Sequence, residues 1–323
     1  MEKRSLPHTD LSVSRVALGT MTFGAQTNES AARSMVDACL DFGVNFFDTA
    51  NVYNHRASET ILGNALRGRR EQAVIATKVR GKMGEAADES GLSRAAIRKA
   101  IEASLERLAT NYVDIYYLHQ PDYGVSIEET IAAMDEIVRE GKVRYVGVSN
   151  YAAWQVAEIH CICKDHGFSA PHISQPLYNL LARGIEEEFL PFCKSFEVGV
   201  IPYNPLAGGL LTGKQRTAAG PMAGTRFDKN QMYLDRYWHA DFFAAVAELE
   251  TVAREAGITL VELALRWLLA QPQVDSILLG ASRVEQLEQN LAASAGPALE
   301  PATLQKCDAV WKRLRGLTPK YNR

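Results

Sequence analysis

An acid, a phenol, an amine and an imidazole stand at Asp48, Tyr53, Lys78 and His119. Together these types can manage one proton on one oxygen. A phenol has an unperturbed pKa of about 10 and gives up its proton poorly at neutral pH. An ammonium beside it favours the phenolate, so Lys78 is expected to lower the Tyr53 pKa. A carboxylate such as Asp48 holds that ammonium in place and charged, and the His119 imidazole can orient a carbonyl oxygen or join the proton relay. The product is a proton donor aimed at an oxygen that gains negative charge. That suits carbonyl reduction, provided a hydride reaches the carbon from the other side.

Such a set works only if the fold gathers it. Short apolar runs at 15–20, 44–49, 73–78, 113–119, 143–149, 172–177, 198–203 and 274–280 read as strands. Several lack clean alternation, as expected for strands covered on both faces. Between them lie helix patterns at 30–42, 58–67, 93–109, 126–141, 151–166, 186–196, 240–256, 259–270 and 283–293. Ser93 is a cap candidate, and Ser126 with Glu129 reads as a capping box closed by Gly141. Eight strands alternating with helices predict a (β/α)8 TIM barrel, one domain spanning 1–323. A doubly wound sheet would usually announce itself with a glycine fingerprint after its first strand. "GTMTFGAQ" carries no such pattern. The segment before the first strand reads as a β-hairpin plugging the barrel, and 207–239 as one long irregular loop after strand seven. Active sites of such barrels sit where strands end. Asp48, Lys78 and His119 end strands two, three and four, with Tyr53 in the loop beside them.

A formal net charge of -3 and no long basic run argue against nucleic acid. No apolar stretch approaches the ~18 residues of a membrane span, and MEKRSLPHTD is not a signal region. Five cysteines without a CxxC pair fit a reducing cytoplasm. In "HCICKDH" at 160–166, Cys161 and Cys163 point roughly 200° apart on a helix. His160 and Cys163 are three apart, but this reads as an ordinary helix face, and no metal is expected. A homo-oligomer stays open.

"FFDTANVYNHRASETILGNAL", "IATK", "YLHQPD", "EIVREGKVRYVGVSN", "QPLYNLLAR", "IPYNPLAGGLLTGK" and "LLGASRVEQLEQN" occur in an order and spacing that resemble the aldo-keto reductases along essentially the whole chain. The resemblance is closest to the branch holding bacterial general reductases and potassium-channel β-subunits. It puts the family's catalytic tetrad on Asp48, Tyr53, Lys78 and His119. Channel subunits carry Asn at the last position, so His119 sides with the enzymes. "NVYNHRAS" departs from the glycine-rich "YGxGxSE" of relatives, beside Tyr53.

The resemblance also implies NADP(H), preferred over NAD(H). Ser149, Asn150 and Gln175 match the side chains that bond the nicotinamide carboxamide, and Tyr203 the ring that stacks on it. Gly19, Thr20, Met21 and Asp48 border the same end. Asn204, Pro205, Leu206, Ala207, Gly208, Leu210 and Lys214 follow strand seven, where barrels often bind phosphate. Gly280 and Ser282 sit at a helix start, whose free N–H groups favour anions. Gln286, Gln289 and Asn290 match the adenosine end and share one helix face. Arg226 and Arg283 are the candidates for a 2′-phosphate.

The expected substrate is a small aldehyde, ketone or alcohol, with Met21, Phe23, Tyr53 and His119 in its pocket. Loop 80–91 and the aromatic segment with Phe227, Tyr233, Tyr237 and Trp238 are further candidate walls. Two other readings stay open: a module that holds NADP and senses redox state, and a redox-neutral isomerase or lyase on the same barrel.

Overall fold

Strand phase organises this molecule. In the computed structural model, which describes residues 1–317, ten strands and eleven α-helices are joined by short 3-10 turns. Strands β1 (Lys3–Ser5) and β2 (Ser12–Ser14) pair antiparallel as a hairpin. Then come β3 (Val16–Gly19), β4 (Phe46–Asp48), β5 (Val74–Val79), β6 (Val113–Leu118), β7 (Val143–Ser149), β8 (Ile173–Gln175), β9 (Gly199–Val200) and β10 (Ile277–Gly280), all parallel. The sheet runs β10-β3-β4-β5-β6-β7-β8-β9. Its ends meet through a Val200–Val274 bridge and a 2.9 Å bond from Leu278 N–H to the Pro202 carbonyl. The fold is the (β/α)8 TIM barrel.

Helices α1 (Glu29–Asp41), α2 (Ala57–Ala65), α3 (Arg94–Leu108), α4 (Ile127–Arg139), α5 (Ala153–His166) and α6 (Phe189–Ser195) each follow one strand. Helix α7 (Gln231–Tyr237) lies inside the stretch expected to be irregular. Asn230 caps it, accepting from the Tyr233 N–H at 3.4 Å, and the buried Tyr233 and Tyr237 rings anchor it. Too short to show periodicity, it forms because aromatic burial exceeds its weak intrinsic propensity. Helices α8 (Ala240–Glu255) and α9 (Leu260–Leu269) precede β10, and α10 (Val284–Ser294) follows it. The sequence reading omitted α11 (Pro301–Arg315), which has Pro at its first turn and packs on α8.

Caps hold mostly as expected. Ser93 and Ser126 each accept from the N–H three residues on. Glu129 does not complete a box; its carboxylate takes the Arg94 N–H at 3.0 Å and ties α4 to α3. Gly141 has φ +75, the left-handed stop that glycine adopts without a Cβ penalty.

Residues alternate between an inner core and an outer one. Ala17, Phe46, Ala76, Ile115, Tyr117, Ile173 and Ile201 pack inside the barrel against Leu6, Leu11 and Val13 of the hairpin, which plugs it. Leu18, Phe47, Ile75, Tyr116 and Val148 face the helices. The inward phase, continued to the strand ends, carries Asp48, Lys78, His119 and Gln175 into the mouth. Among the described residues no helix is long and apolar enough to cross a membrane, and no cluster of three or more His, Cys, Asp or Glu is placed to hold a metal.

Candidate active site

At the mouth the inward residues meet. Lys78 and Asp48 are fully buried and form an ion pair. Lys78 Nζ also donates to the Thr49 carbonyl at 2.8 Å and to the Tyr53 hydroxyl at 3.5 Å. The second Asp48 oxygen accepts from Gln175 Nε2 at 2.8 Å. The Tyr53 and His119 rings stand edge to face, centroids 6.0 Å apart. The four residues singled out by type are thus one constellation.

The loop carrying Tyr53 is held from several sides. Ser58 Oγ donates to the Thr20 carbonyl at 2.8 Å and lies 2.9 Å from Thr49 Oγ1. Buried Glu59 accepts from Thr77 Oγ1 at 2.5 Å and from Arg107 Nε at 2.7 Å. Asn54, His55 and Arg56 have φ of +48, +52 and +80, a left-handed run without glycine. Asn is among the few residues that visit this region readily. Its Nδ2 spans to the Met21 and Phe23 carbonyls at 2.8 and 2.7 Å, so "NVYNHRAS" closes without a glycine.

The electrostatics correct one expectation. Burial pushes the Tyr53 phenol above its ordinary value, and Lys78 pulls it down by less. Desolvation wins because the phenolate would be cut off from water, and the nearby Asp48 charge raises it further. Burial likewise pushes the Asp48 carboxyl up, against Lys78 and Gln175. For Lys78, burial lowers its pKa, but Asp48 and Tyr53 more than offset that and hold the ammonium charged. With two donors converging on the carboxylate, the ion pair is the state at neutral pH. His119 is pushed down to about 3 by burial, then by Lys78 and Arg80, so its imidazole is neutral.

These groups open into a cavity of about 1140 Å³, large enough for a dinucleotide and a small substrate side by side. It runs from Tyr53 past Ser149, Asn150 and Tyr203 to Gln286 and Gln289. Ser149 Oγ donates to the Gln175 carbonyl at 2.8 Å, and Asn150 Nδ2 to the His119 carbonyl at 2.9 Å. The Tyr203 hydroxyl donates to Asn150 Oδ1 at 2.8 Å. Gly19, Met21, Asn204, Pro205, Leu206, Gly208, Lys214, Arg226, Gly280, Ser282 and Arg283 also line the wall.

Other expected residues do not reach it. Phe23 is fully buried in the outer core, because the turn after β3 directs it toward the helices; it is not a pocket wall. Phe227 and Tyr237 are buried beneath the loop and Trp238 packs against Phe227 and Phe243, leaving Tyr233 as the member of that aromatic segment on the cavity. Thr20, Ala207, Leu210 and Asn290 are buried behind the lining. Of loop 80–91, Arg80 and Gly81 line it; Gln120, Met222, Met232 and Arg236 line it too and were not singled out by the sequence. Met232 and Arg236 could not be, because α7 was not foreseen.

Five cations line the cavity, Arg80, Lys214, Arg226, Arg236 and Arg283, and none forms an ion pair among the described residues. The facing carboxylates are Asp48, already held by Lys78, and Glu285. Asn204 Nδ2 is buried on this wall with no partner. A surplus of unpaired cations and an orphaned donor fit an anionic, acceptor-rich ligand.

A sequence model described as the Aldo/keto reductase family matches residues 15–312. The chain is 38% identical to aflatoxin B1 aldehyde reductase member 2 of Rattus norvegicus, over 95% of this chain and 87% of that protein. It is 37% identical to a probable voltage-gated potassium channel subunit beta of Arabidopsis thaliana, over 96% of each. With the uncharacterized oxidoreductase YrpG of Bacillus subtilis (strain 168) it shares 35% identity over 99% of each.

Proposed function

The chain belongs to the aldo/keto reductase family, and on that premise we propose that it is an NADPH-dependent reductase interconverting aldehydes or ketones with alcohols. The observation that carries this reading is the Asp48–Lys78–Tyr53 chain of contacts opening, with neutral His119, into a cavity lined by unpaired cations. NADPH fits the wall: Ser149, Asn150, Gln175 and Tyr203 would hold the nicotinamide end and Lys214 with the 204–210 turn the pyrophosphate. Arg226 or Arg283 would take the 2′-phosphate, with Ser282, Gln286 and Gln289 at the adenosine. When bound, this cofactor supplies the hydride that a carbonyl carbon accepts.

The chain's own residues manage the oxygen. Tyr53 O–H and a neutral His119 N–H converge on the mouth, so both can donate to a carbonyl oxygen. As negative charge grows there, Tyr53 gives up its proton, and the Lys78 ammonium stabilises the oxygen left behind. Asp48 and the Thr49 carbonyl keep that ammonium charged and placed. A phenol pushed above its ordinary pKa remains protonated through the neutral range, as reduction requires. The reverse direction needs the tyrosinate and is favoured by alkali.

The test is a fluorescence titration with NADPH and NADH, followed by reduction of an aldehyde panel by wild type and Tyr53→Phe. Tighter NADPH binding and a loss of about 10²–10⁴-fold in kcat for Tyr53→Phe are expected. Failure to bind either nucleotide, or full turnover in Tyr53→Phe, overturns the reading. Nucleotide binding with no turnover in wild type would instead favour a redox-sensing module.

A further inference from the structure

Two residues beyond Lys78, just past the end of β5, stands a second cation. Arg80 follows the last residue of β5, Val79, and its side chain is on the wall of the cavity. It lines the cavity at the end occupied by Val52, Tyr53, Gly81, His119 and Gln120. That is the oxygen-handling end, away from Gln286 and Gln289.

The backbone there is held in an unusual conformation. Arg80 has φ +125, a region non-glycine residues rarely enter. It is clamped by a 3.0 Å bond from Gly91 N–H to its carbonyl and a 3.0 Å bond from His119 N–H to the Val79 carbonyl. Gly81 is packed so closely that a Cβ there would lie 2.6 Å from Val52. Backbone strain of this kind persists only where surrounding contacts over-determine it.

The guanidinium itself is under-used. Arg80 Nε is buried without a hydrogen-bond partner, and among the described residues Arg80 makes no ion pair. A smaller cavity behind it holds Asp88 and Glu89, but Lys99 takes both, at 2.9 and 3.4 Å. Asp122, in the next loop, accepts the Leu92 and Gly124 N–H groups at 2.8 and 3.1 Å. An arginine with a buried unmatched donor and its nearest acids engaged leaves a planar donor fork for a carboxylate.

We propose that Arg80 is a specificity residue of the carbonyl site, binding an anionic group, a carboxylate above all, carried by the substrate. This rests on the reductase reading. The site would favour carbonyl compounds bearing a carboxylate over neutral ones of the same size. Val52, packed against Gly81 next to Arg80, is an exposed apolar side chain on the same wall, so the carbon skeleton between the two groups meets an apolar surface.

Matched substrates test it: 2-, 3- and 4-carboxybenzaldehyde against their methyl esters, with saturating NADPH, in wild type, Arg80→Gln and Arg80→Lys. The three isomers act as a ruler for the reach from Tyr53 to Arg80. In wild type, at least one acid should exceed its ester in kcat/KM on the order of 10- to 100-fold, the scale of a charge-assisted bond. The acid-to-ester ratio should collapse toward one in Arg80→Gln, chiefly through KM, and partly return in Arg80→Lys. Equal ratios in wild type and Arg80→Gln, or preference for every ester, overturn the proposal.

A wild type that reduces no carbonyl would overturn the reductase reading instead. Calorimetric titration with benzoate then decides this site separately. Binding lost in Arg80→Gln supports it, and identical titrations refute it.

Discussion

Lys78→Met separates the two jobs assigned to the lysine, because it keeps the length of the side chain and removes its charge. In the native chain Asp48 is fully buried and accepts from Lys78 and Gln175. The substitution leaves a buried carboxylate with Gln175 alone and the Thr49 carbonyl without its 2.8 Å donor. Breaking a buried pair this way costs about 3–5 kcal/mol. At about 2.1 cal/mol/K per residue, 323 residues give an unfolding entropy near 0.7 kcal/mol per degree, so Tm should fall by roughly 4–7 °C.

The pH dependence identifies the cause. Burial already raises the Asp48 pKa, and losing Lys78 removes the largest opposing influence. A carboxyl whose folded pKa is raised binds protons more readily in the fold than in the unfolded chain. Acid should therefore restore part of the lost stability as pH falls from the folded pKa toward the ordinary carboxylate value. Asp48→Asn/Lys78→Met should recover much of the loss at neutral pH, since no charge is then buried. Thermal melts of the three proteins from pH 8 to 5, read as differences from wild type, provide the measurement. A Lys78→Met gap that is absent, or that widens in acid, would refute a charged Asp48 held by Lys78.

Two further outcomes follow from other parts of the barrel. His172 lies beneath the hairpin plug, its ring 4.2 Å from His8 and 5.3 Å from His160, with Glu197 beside His8 and Phe196 against His160. Burial, His8 and His160 push it down to about 4, and Glu197 opposes them. Its neutral form thus contributes stability present above pH 6.5 and lost as pH falls through 4; His172→Phe should flatten the fall in Tm across that window, and parallel curves would count against it. Gly147 faces Tyr117, and a Cβ there would sit 2.5 Å from the ring. Gly147→Ala should cost about 1–3 kcal/mol by overpacking, read from denaturant melts; an unchanged midpoint would mean that the ring is free to move.

Residue order alone set a good deal of this protein. Runs of apolar residues doubly covered in the sheet gave the eight barrel strands to within a few residues, because that pattern needs no partner to be recognised. Asp48, Lys78 and His119 were legible as strand-end residues, and alternation brings them to one mouth whatever packs around them. The motif order likewise pointed to the family, and Ser93 and Ser126 announced their helices through local bonds.

Tertiary structure decided what depends on several segments at once. Helix α7 owes its existence to the burial of Tyr233 and Tyr237, so no local pattern revealed it or placed Met232 and Arg236 on the cavity. Phe23 turned away to the outer core, a choice made by the neighbours of its turn. The Tyr53 phenol rose where pairwise charge reasoning expected it to fall, since desolvation sums over every atom that excludes water. Sequence names which charges exist, but how far each is removed from solvent, and whether Arg80 finds a partner, is fixed only when distant strands and loops close around it.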